Sequence, residues 1–238
     1  MSQGTWETLL AKAYDALDEK YQRFLEEDQD YFPSQEHYFN AFKTLPKDKV
    51  KYILFGQDPY PREQSAGEYA FIDTNVKQLF SESGLSKEVN RATSLRNFMK
   101  MALLARGDLK EDTTQESISK VDKTDLINSI DALRENFEKN GVLLLNTALI
   151  FTDKKSSTRH IKSWRPFVQS LLSSLEKDAP KLILFGTHAK DLKKKFSLDK
   201  FEIIEMEHPY NTTFIHNKKA LELFGNMDLL RKEKKCLL

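Results

Sequence analysis

The stretch Gly56-Gln57-Asp58-Pro59-Tyr60-Pro61 follows directly on Val50-Lys51-Tyr52-Ile53-Leu54-Phe55, an apolar run that is typical of a buried strand. Asp58 is therefore expected just beyond the carboxyl end of a strand, in a turn that prolines stiffen on both sides of Tyr60. In open α/β sheets, ligands bind at that end of the strands. The position of this carboxylate in a rigid loop indicates that it takes part in chemistry and does more than keep the surface hydrated.

Working outward, three more apolar runs predict buried strands, at Val142–Leu145, Leu182–Phe185 and, more weakly, Phe201–Ile204. Apolar residues at helical spacing surround these strands. Helices are predicted over Trp6–Leu25, Gln35–Phe42, Leu95–Leu103, Leu126–Phe137 and Phe167–Leu175, and from about Thr187 and Lys218 onward. The alternation predicts an α/β fold, a single-domain α/β/α sandwich over residues 1–238 with a central, mainly parallel four-stranded sheet.

Composition narrows the functional classes. The 238 residues are 39% hydrophobic and 31% charged, as in ordinary soluble proteins, and the net charge of +1 requires any nucleic-acid contact to come from a local patch. The single cysteine, Cys236, suits a reducing compartment, so a cytoplasmic location is expected, or a nuclear one if the source is eukaryotic or viral. No membrane span or secretion signal is predicted.

Polar side chains follow several of the predicted strands. Gln57 and Asp58 follow the first, Asn146 ends the second, and His208 follows the fourth, so a parallel sheet would bring them to one edge. Taken singly, each has a structural explanation as a turn former, a loop amide or a hydrogen-bonded histidine. Together they predict a cleft lined by an acid, an amide and a histidine, without naming the reaction.

These residues resemble the family 1 uracil-DNA glycosylases. Residues 56–60 match that family's Gly-Gln-Asp-Pro-Tyr-His segment up to its histidine, and residues 141–147 match its Gly-Val-Leu-Leu-Leu-Asn-Thr in full. Its Gly-x-Ala-Phe is similar to residues 67–71, with one residue more after the glycine. Its Trp-Gly-Ser-His-Ala resembles residues 185–189, and its phosphate-contacting Pro-Ser-Leu-x-Asn resembles residues 93–97.

The resemblance implies how the base would be held. Uracil must leave the duplex stack to be reached. Phe71 would lie against its face, Asn146 would recognise its edge, and Gln57 would add contacts to the pyrimidine. Tyr60 would stand where thymine carries its methyl group and exclude it by collision.

It also implies the chemistry. Asp58 would stabilise the cation-like sugar and orient or deprotonate a water, and a neutral His208 would donate a hydrogen bond to uracil O2. No metal or cofactor is needed, and no lysine is placed to cleave the strand. Contacts to DNA are expected from a larger group of residues: Pro59, Ser94, Thr187, Tyr210, Thr213 and Phe214.

Two departures from the family pattern stand out. Pro61 replaces the histidine of the first segment, as it does in pox-virus relatives, and residues 208–213 replace His-Pro-Ser-Pro-Leu-Ser. The position of the family's wedging leucine holds Thr212, so Tyr210 or Phe214 is expected to fill the gap left by the flipped base.

The leading interpretation is a monofunctional enzyme that releases uracil from DNA and leaves an abasic site. Expected partners are single- or double-stranded DNA containing uracil and, further, a protein inhibitor that mimics DNA; a monomer is expected. The alternatives are a DNA-binding or replication-accessory protein of the same fold with weak or no catalysis, and a glycosylase for another damaged base. Retention of Asp58, Asn146 and His208 argues against the first, and Tyr60 with Asn146 argues against the second.

Overall fold

A computed structural model describes residues 5–28 and 30–233 of the chain, so Cys236 lies outside the described residues. Its helices are α1 Trp6–Asp15, α2 Glu19–Glu27, α3 Asn40–Thr44, α4 Lys87–Arg91, α5 Thr93–Arg106, α6 Gln115–Ser119, α7 Ile130–Lys139, α8 Ser157–Leu175, α9 Gly186–Lys195 and α10 Lys218–Met227. Its strands are β1 Tyr52–Gly56, β2 Phe80–Ser81, β3 Gly84–Leu85, β4 Val142–Asn146, β5 Lys181–Phe185 and β6 Ile203–Met206. Short 3₁₀ turns cover Lys47–Lys49 and Thr212–His216.

The four longer strands form one sheet in the order β4-β1-β5-β6. The central strand β1 pairs in parallel with β4, from Tyr52 opposite Val142 to Gly56 opposite Asn146. It also pairs in parallel with β5 on its other side. The prediction of an α/β fold with a central four-stranded parallel sheet is therefore confirmed, with each strand within two residues of its expected position.

Both faces of this sheet are covered, which explains why its strands are continuously apolar. Ile53 and Phe55 of β1 belong to a hydrophobic core that also takes in α1 and α8, including the fully buried Trp164 and Phe167. The alternate residue Leu54 points to the opposite face and is equally buried, at 1% exposure.

The chain divides into two compact units. In the described range, the first comprises residues 5–73 and 141–205, and contains α1–α3, β1, β4, α8, β5, α9 and most of β6. The second comprises residues 74–140 and 206–233, in which α5 packs against α10 and the 3₁₀ turn at Thr212–His216. None of the described helices is long and apolar enough to cross a membrane.

The amino-terminal helices differ from the prediction. The single helix expected over Trp6–Leu25 is two helices, because Asp18 interrupts it and caps α2 by accepting a hydrogen bond from the Lys20 backbone N–H at 3.0 Å. Most of the helix expected over Gln35–Phe42 is a series of turns, and regular helix begins only at Asn40.

Two further boundaries are corrected in the second unit. Leu126 precedes α7, which begins at Ile130 after the Ser129 side chain caps it. The helix expected from Lys218 to the end of the chain stops at Met227, where Asp228 takes a left-handed conformation with φ of 46°.

Candidate active site

The carboxyl ends of β1 and β4 meet at Gly56 and Asn146, which are register partners. A methyl group on Gly56 would stand 2.2 Å from the Asn146 side-chain oxygen and 3.0 Å from the Cβ of Ala70. Glycine at position 56 thus lets two neighbouring segments approach the backbone closely. The result is an edge where the loop after β1, the end of β4 and the segment around Ala70 come together.

Hydrogen bonds continue this pairing beyond the strands. The backbone N–H of Thr147 donates to Gly56 O at 3.0 Å, and that of Ala148 donates to Gln57 O at 2.9 Å. The Thr147 hydroxyl also donates to Gln57 O at 2.8 Å. These bonds fix the backbone immediately before Asp58, and leave the Gln57 side chain exposed.

The Asn146 side chain is 6% exposed and stands at the carboxyl end of β4, beside the loop that carries Asp58. Its amide offers a donor group and an acceptor, and a hydrogen bond made where little water competes is electrostatically stronger than one made in water. A ligand with a matching acceptor and donor would therefore find a well-shielded partner in this amide.

Asp58 is half-buried and accepts a hydrogen bond on Oδ2 from the hydroxyl of Ser157, the first residue of α8. Burial raises the pKa of the Asp58 carboxyl above its ordinary value, and the Ser157 hydroxyl opposes that rise. Sequence reasoning missed Ser157, because it lies 99 residues further along the chain and outside the motifs that drew attention.

Tyr60 and Phe71 belong to the same unit. Burial, and next the nearby Asp73, raise the pKa of the Tyr60 phenol, so the hydroxyl stays protonated. Phe71 is half-buried with a φ of +71°, a left-handed conformation that is uncommon for a bulky residue, and such strain concentrates at functional sites. The Ala70 N–H donates to Leu144 O at 3.2 Å, which ties this segment to β4.

A cavity of about 350 Å³ adjoins this edge, between α8 and α9. Of the predicted site residues only Gln57 lines it, together with Thr147 and with charged side chains that include Lys162, Arg165 and Asp191. Since Asp58, Tyr60, Phe71 and Asn146 are absent from its lining, it is distinct from the candidate base-binding residues. Over residues 5–28 and 30–233, no cluster of His, Cys, Asp and Glu could hold a metal ion.

His208 lies in the second unit, in the loop after β6. Its Nδ1 accepts a hydrogen bond from the backbone N–H of Tyr210 at 3.0 Å, and only an unprotonated nitrogen can accept. Desolvation by surrounding protein atoms lowers the pKa of His208, although part of the imidazole remains accessible to solvent. The ring is therefore neutral at pH 7, with its proton on Nε2.

Two hydrogen bonds from one side chain hold the loop that carries His208. The amide of Asn97, on α5, donates to Pro209 O at 2.8 Å and to Tyr210 O at 3.2 Å. Further along, the Glu207 carboxylate accepts hydrogen bonds from the Thr213 hydroxyl and the Asn217 amide. Thr213, predicted to contact DNA, thus has its hydroxyl committed within the protein.

The two residues expected to replace the family's wedge have opposite environments. Tyr210 is 66% exposed and is the one large hydrophobic side chain that stands exposed in the described range. Phe214 is 0% exposed and stacks on Phe98, with ring centroids 6.4 Å apart. The expectation that Phe214 contacts DNA is therefore corrected, because a ring this deep in the core presents no surface to a nucleic acid.

The remaining predicted DNA contacts differ in accessibility. Thr187 is exposed in the first turn of α9, and Ser94 is half-buried in the first turn of α5. Pro59 is buried. Within the first unit, the structure therefore brings Gln57, Asp58 and Asn146 to one sheet edge, with Tyr60 and Phe71 in segments attached to it.

The sequence profile of the uracil DNA glycosylase superfamily matches residues 42–227, which is most of the chain. The chain belongs to the uracil-DNA glycosylase superfamily. The matched range takes in Asp58, Asn146 and His208, so all three lie within the region that defines membership.

Individual relatives agree with this assignment. Crystal structures named uracil-DNA glycosylase or UNG include that of the wild-type UNG from Nitratifractor salsuginis, which is 53% identical, covers 96% of this chain and 92% of its own, and superposes with a TM-score of 0.94. The uracil-DNA glycosylase of Fusobacterium nucleatum is 28% identical over 83% of this chain and 73% of its own length. That of mimivirus, at 22% identity, 86% and 66% coverage and a TM-score of 0.51, shows the shared fold alone.

Proposed function

We propose that this protein is a monofunctional uracil-DNA glycosylase, which flips uracil out of DNA and hydrolyses its N-glycosidic bond, leaving an abasic site for base excision repair. Superfamily membership supports the reaction class. The observation that carries the assignment of substrate is the position of the Asn146 amide, 6% exposed, at the sheet edge beside the Asp58 loop.

An asparagine amide offers one donor group and one acceptor at fixed spacing. Uracil presents O4 as an acceptor and N3–H as a donor on the edge that Asn146 would face. Cytosine presents the reverse pattern and would leave the buried amide mispaired, a mismatch that discriminates strongly. Asn146 thus accounts for selection of uracil over cytosine.

Phe71 and Tyr60 would define the rest of the base-binding surface. Phe71 combines a positive φ with a half-buried aromatic ring, and such a ring suits stacking on a flat pyrimidine. The Tyr60 ring, half-buried in the stiff loop before Pro61, would collide with the 5-methyl group of thymine. Gln57 would add contacts to the pyrimidine from the same loop.

In the reaction, the bond between C1′ of the sugar and N1 of uracil breaks, and N1 keeps the electron pair. The Asp58 carboxylate faces the positive charge that develops on the sugar and takes one proton from the water whose oxygen bonds to C1′. The uracil anion later takes a proton from solvent. Ionised Asp58 is the form this step requires, and the Ser157 hydrogen bond favours that form.

His208 would stabilise the departing base. With Nδ1 occupied by the Tyr210 N–H, the imidazole carries its proton on Nε2 and can donate it in a hydrogen bond to uracil O2 as negative charge builds there. A preorganised donor of this kind needs no protonation during the reaction, so a low pKa is compatible with the role.

Tyr210 is the residue that we assign to the gap left in the duplex, because its exposed aromatic ring suits an unstacked base step. Ser94 and Thr187, each in the first turn of a helix, would each contact DNA phosphate. Thr213 and Pro59 would support the loops that carry His208 and Asp58. Binding through phosphates should weaken as salt is added.

We further propose that the chain acts as a monomer forming one functional domain, in the cytoplasm of its cell, on single- or double-stranded DNA. A protein that mimics DNA would be a competing partner. A tyrosine-to-phenylalanine variant of mimivirus UNG has been crystallised in complex with UGI, which supports the proposal of such a partner.

An oligonucleotide with one deoxyuridine tests the function directly. Incubation with the protein in EDTA, followed by alkali, should cut the strand at uracil only, and Asp58→Asn should lower the rate by about 10²–10⁴-fold, the range for loss of an acid–base group. Asp131→Asn, at an exposed carboxylate in the first turn of α7, serves as a matched control and should leave the rate unchanged.

Other outcomes separate the alternatives. Binding of the oligonucleotide without release of uracil would favour a DNA-binding or replication-accessory role. Cutting at a different damaged base would reassign the substrate, and loss of activity in EDTA would require a metal-dependent mechanism in place of the proposed one.

A further inference from the structure

We propose that Ser157 is a positioning residue for the reaction: its hydroxyl holds one oxygen of Asp58 and leaves the other directed to the attacking water. The inference rests on the proposed function. It is carried by the hydrogen bond from Ser157 Oγ to Asp58 Oδ2, a contact between the start of α8 and the loop after β1.

The loop side of this contact is well fixed. The Gly56 and Gln57 carbonyls accept hydrogen bonds from Thr147 and Ala148, and Pro59 restricts the backbone after Asp58. The carboxylate can still rotate about its own side-chain bonds. A hydrogen bond from Ser157 removes that remaining freedom, which is the kind of second contact that precise catalytic geometry needs.

The helix side is fixed independently of Asp58. The Asp153 carboxylate accepts hydrogen bonds from the backbone N–H groups of Lys155, at 2.7 Å, and Ser156, at 3.1 Å, and from the Ser156 hydroxyl at 2.8 Å. The beginning of α8 is therefore held by Asp153. Since the Ser157 hydroxyl is not needed to start the helix, its contact with Asp58 can act on the carboxylate alone.

The hydrogen bonds of Asp58 show which of its two carboxylate oxygens Ser157 occupies. Apart from Ser157, no described residue donates to the carboxylate, so Oδ2 is occupied and Oδ1 is left for water. The next side chain after Tyr60, Pro61, carries no polar group that could share the task. A hydroxyl that donates to a carboxylate favours its ionised form, which is the form that accepts the water's proton.

Electrostatics point the same way. Burial raises the pKa of Asp58 and the Ser157 hydrogen bond lowers it. Without Ser157, the carboxylate should therefore be protonated at a higher pH, and the acid side of the rate profile should move to higher pH. A purely structural serine would leave that profile in place.

The test compares Ser157→Ala with Ser157→Thr and with Ser156→Ala as the matched control, since the Ser156 hydroxyl donates to Asp153 instead of Asp58. In Ser157→Ala, we expect kcat for uracil release to fall about 10–100-fold, the loss of one hydrogen bond to a charged group, while KM changes little. The acid limb of kcat should move to higher pH. Ser157→Thr keeps the hydroxyl and should restore both, and Ser156→Ala should match the wild type.

A second readout does not depend on catalysis. The Asp58 carboxyl can be titrated by NMR in the wild type and in both Ser157 variants, with thermal unfolding to verify that each is folded. The Asp58 pKa should rise in Ser157→Ala and return in Ser157→Thr.

The experiments distinguish failure of the Ser157 proposal from failure of the proposed function. An active wild type whose Ser157→Ala variant keeps its rate, its pH profile and its Asp58 pKa rejects the role of Ser157 and leaves the function standing. A wild type that releases no uracil rejects the function and, with it, the catalytic role of Ser157, whatever the titration gives.

Discussion

The Asn146 side-chain oxygen lies 2.2 Å from the point where a Cβ on Gly56 would be placed. The two residues are register partners at the carboxyl ends of adjacent parallel strands. The amide therefore rests against bare backbone, and only glycine at position 56 allows this arrangement. A small residue in one strand thus sets the position of Asn146, the residue proposed to recognise the base, in the next.

Substitution of Gly56 by alanine should consequently displace Asn146 while leaving the sheet intact. We expect release of uracil to fall by about 100-fold or more, since a displacement of about 1 Å in a binding group has that effect. Gly107→Ala is the control: its added methyl meets nothing within 4 Å, but the φ of 81° should cost about 1 kcal/mol of stability. Equal activity in the two variants would contradict the account of Asn146.

Replacing Tyr60 by alanine should open the base-binding site to thymine. We expect measurable release of thymine from a thymine-containing oligonucleotide, because excluding one methyl group is worth about 10–200-fold. Tyr60→Phe should still exclude thymine, since its ring remains and the hydroxyl makes only a 3.5 Å contact with Phe71 O. Continued rejection of thymine by Tyr60→Ala would assign the discrimination to another residue.

Tyr210 and Phe214 should separate in their effects on DNA binding and on stability. Tyr210→Ala should change the free energy of unfolding by no more than about 0.5 kcal/mol. It should lower cleavage of duplex substrate about 10-fold more than cleavage of single-stranded substrate, because the proposed wedge aids only unstacking. Phe214→Ala should cost about 3–5 kcal/mol of unfolding free energy as a core cavity. Chemical denaturation measures the change in stability, and parallel assays on both substrates measure the change in cleavage. A duplex-specific defect in a folded Phe214→Ala protein would assign the wedge to Phe214 instead of Tyr210.

Asp58→Asn should stabilise the protein at neutral pH. Burial raises the pKa of Asp58 above 3.8, so the folded state binds that proton more readily than the unfolded chain does. The free energy of unfolding therefore falls as pH rises from about 3.8 through the raised pKa, and an uncharged asparagine avoids the loss. Thermal unfolding should give a higher midpoint for Asp58→Asn at pH 7 and nearly equal midpoints near pH 3; a lower midpoint at pH 7 would contradict the sign.

The sequence predicted the sheet well because buried parallel strands are apolar on both faces, as Ile53 and Leu54 illustrate on adjacent positions. It predicted the amino-terminal helices less well. The apolar spacing continues through residue 25, whereas the Asp18 cap, a local side-chain contact, divides the helix. Periodicity does not reveal such a contact.

The site residues likewise divide into those that the sequence predicts and those that it does not. Asp58 and Asn146 could be predicted because each directly follows an apolar strand, and the sheet rule then places them at one edge. Ser157 and Asn97 could not, because their roles depend on hydrogen bonds to Asp58 and to the Pro209 carbonyl across long stretches of chain. Nor could spacing alone distinguish the exposed Tyr210 from the buried Phe214.

Recognition of the base edge by Asn146 is most directly tested by Asn146→Asp assayed on oligonucleotides containing one uracil, cytosine or thymine. An aspartic acid in its protonated form presents an acceptor to the cytosine amino group and a donor to N3, the complement of the asparagine pattern. We expect the wild type to release uracil alone, and Asn146→Asp to lose most of its action on uracil and to gain release of cytosine. Full activity of Asn146→Asp on uracil, with none on cytosine, would contradict the account.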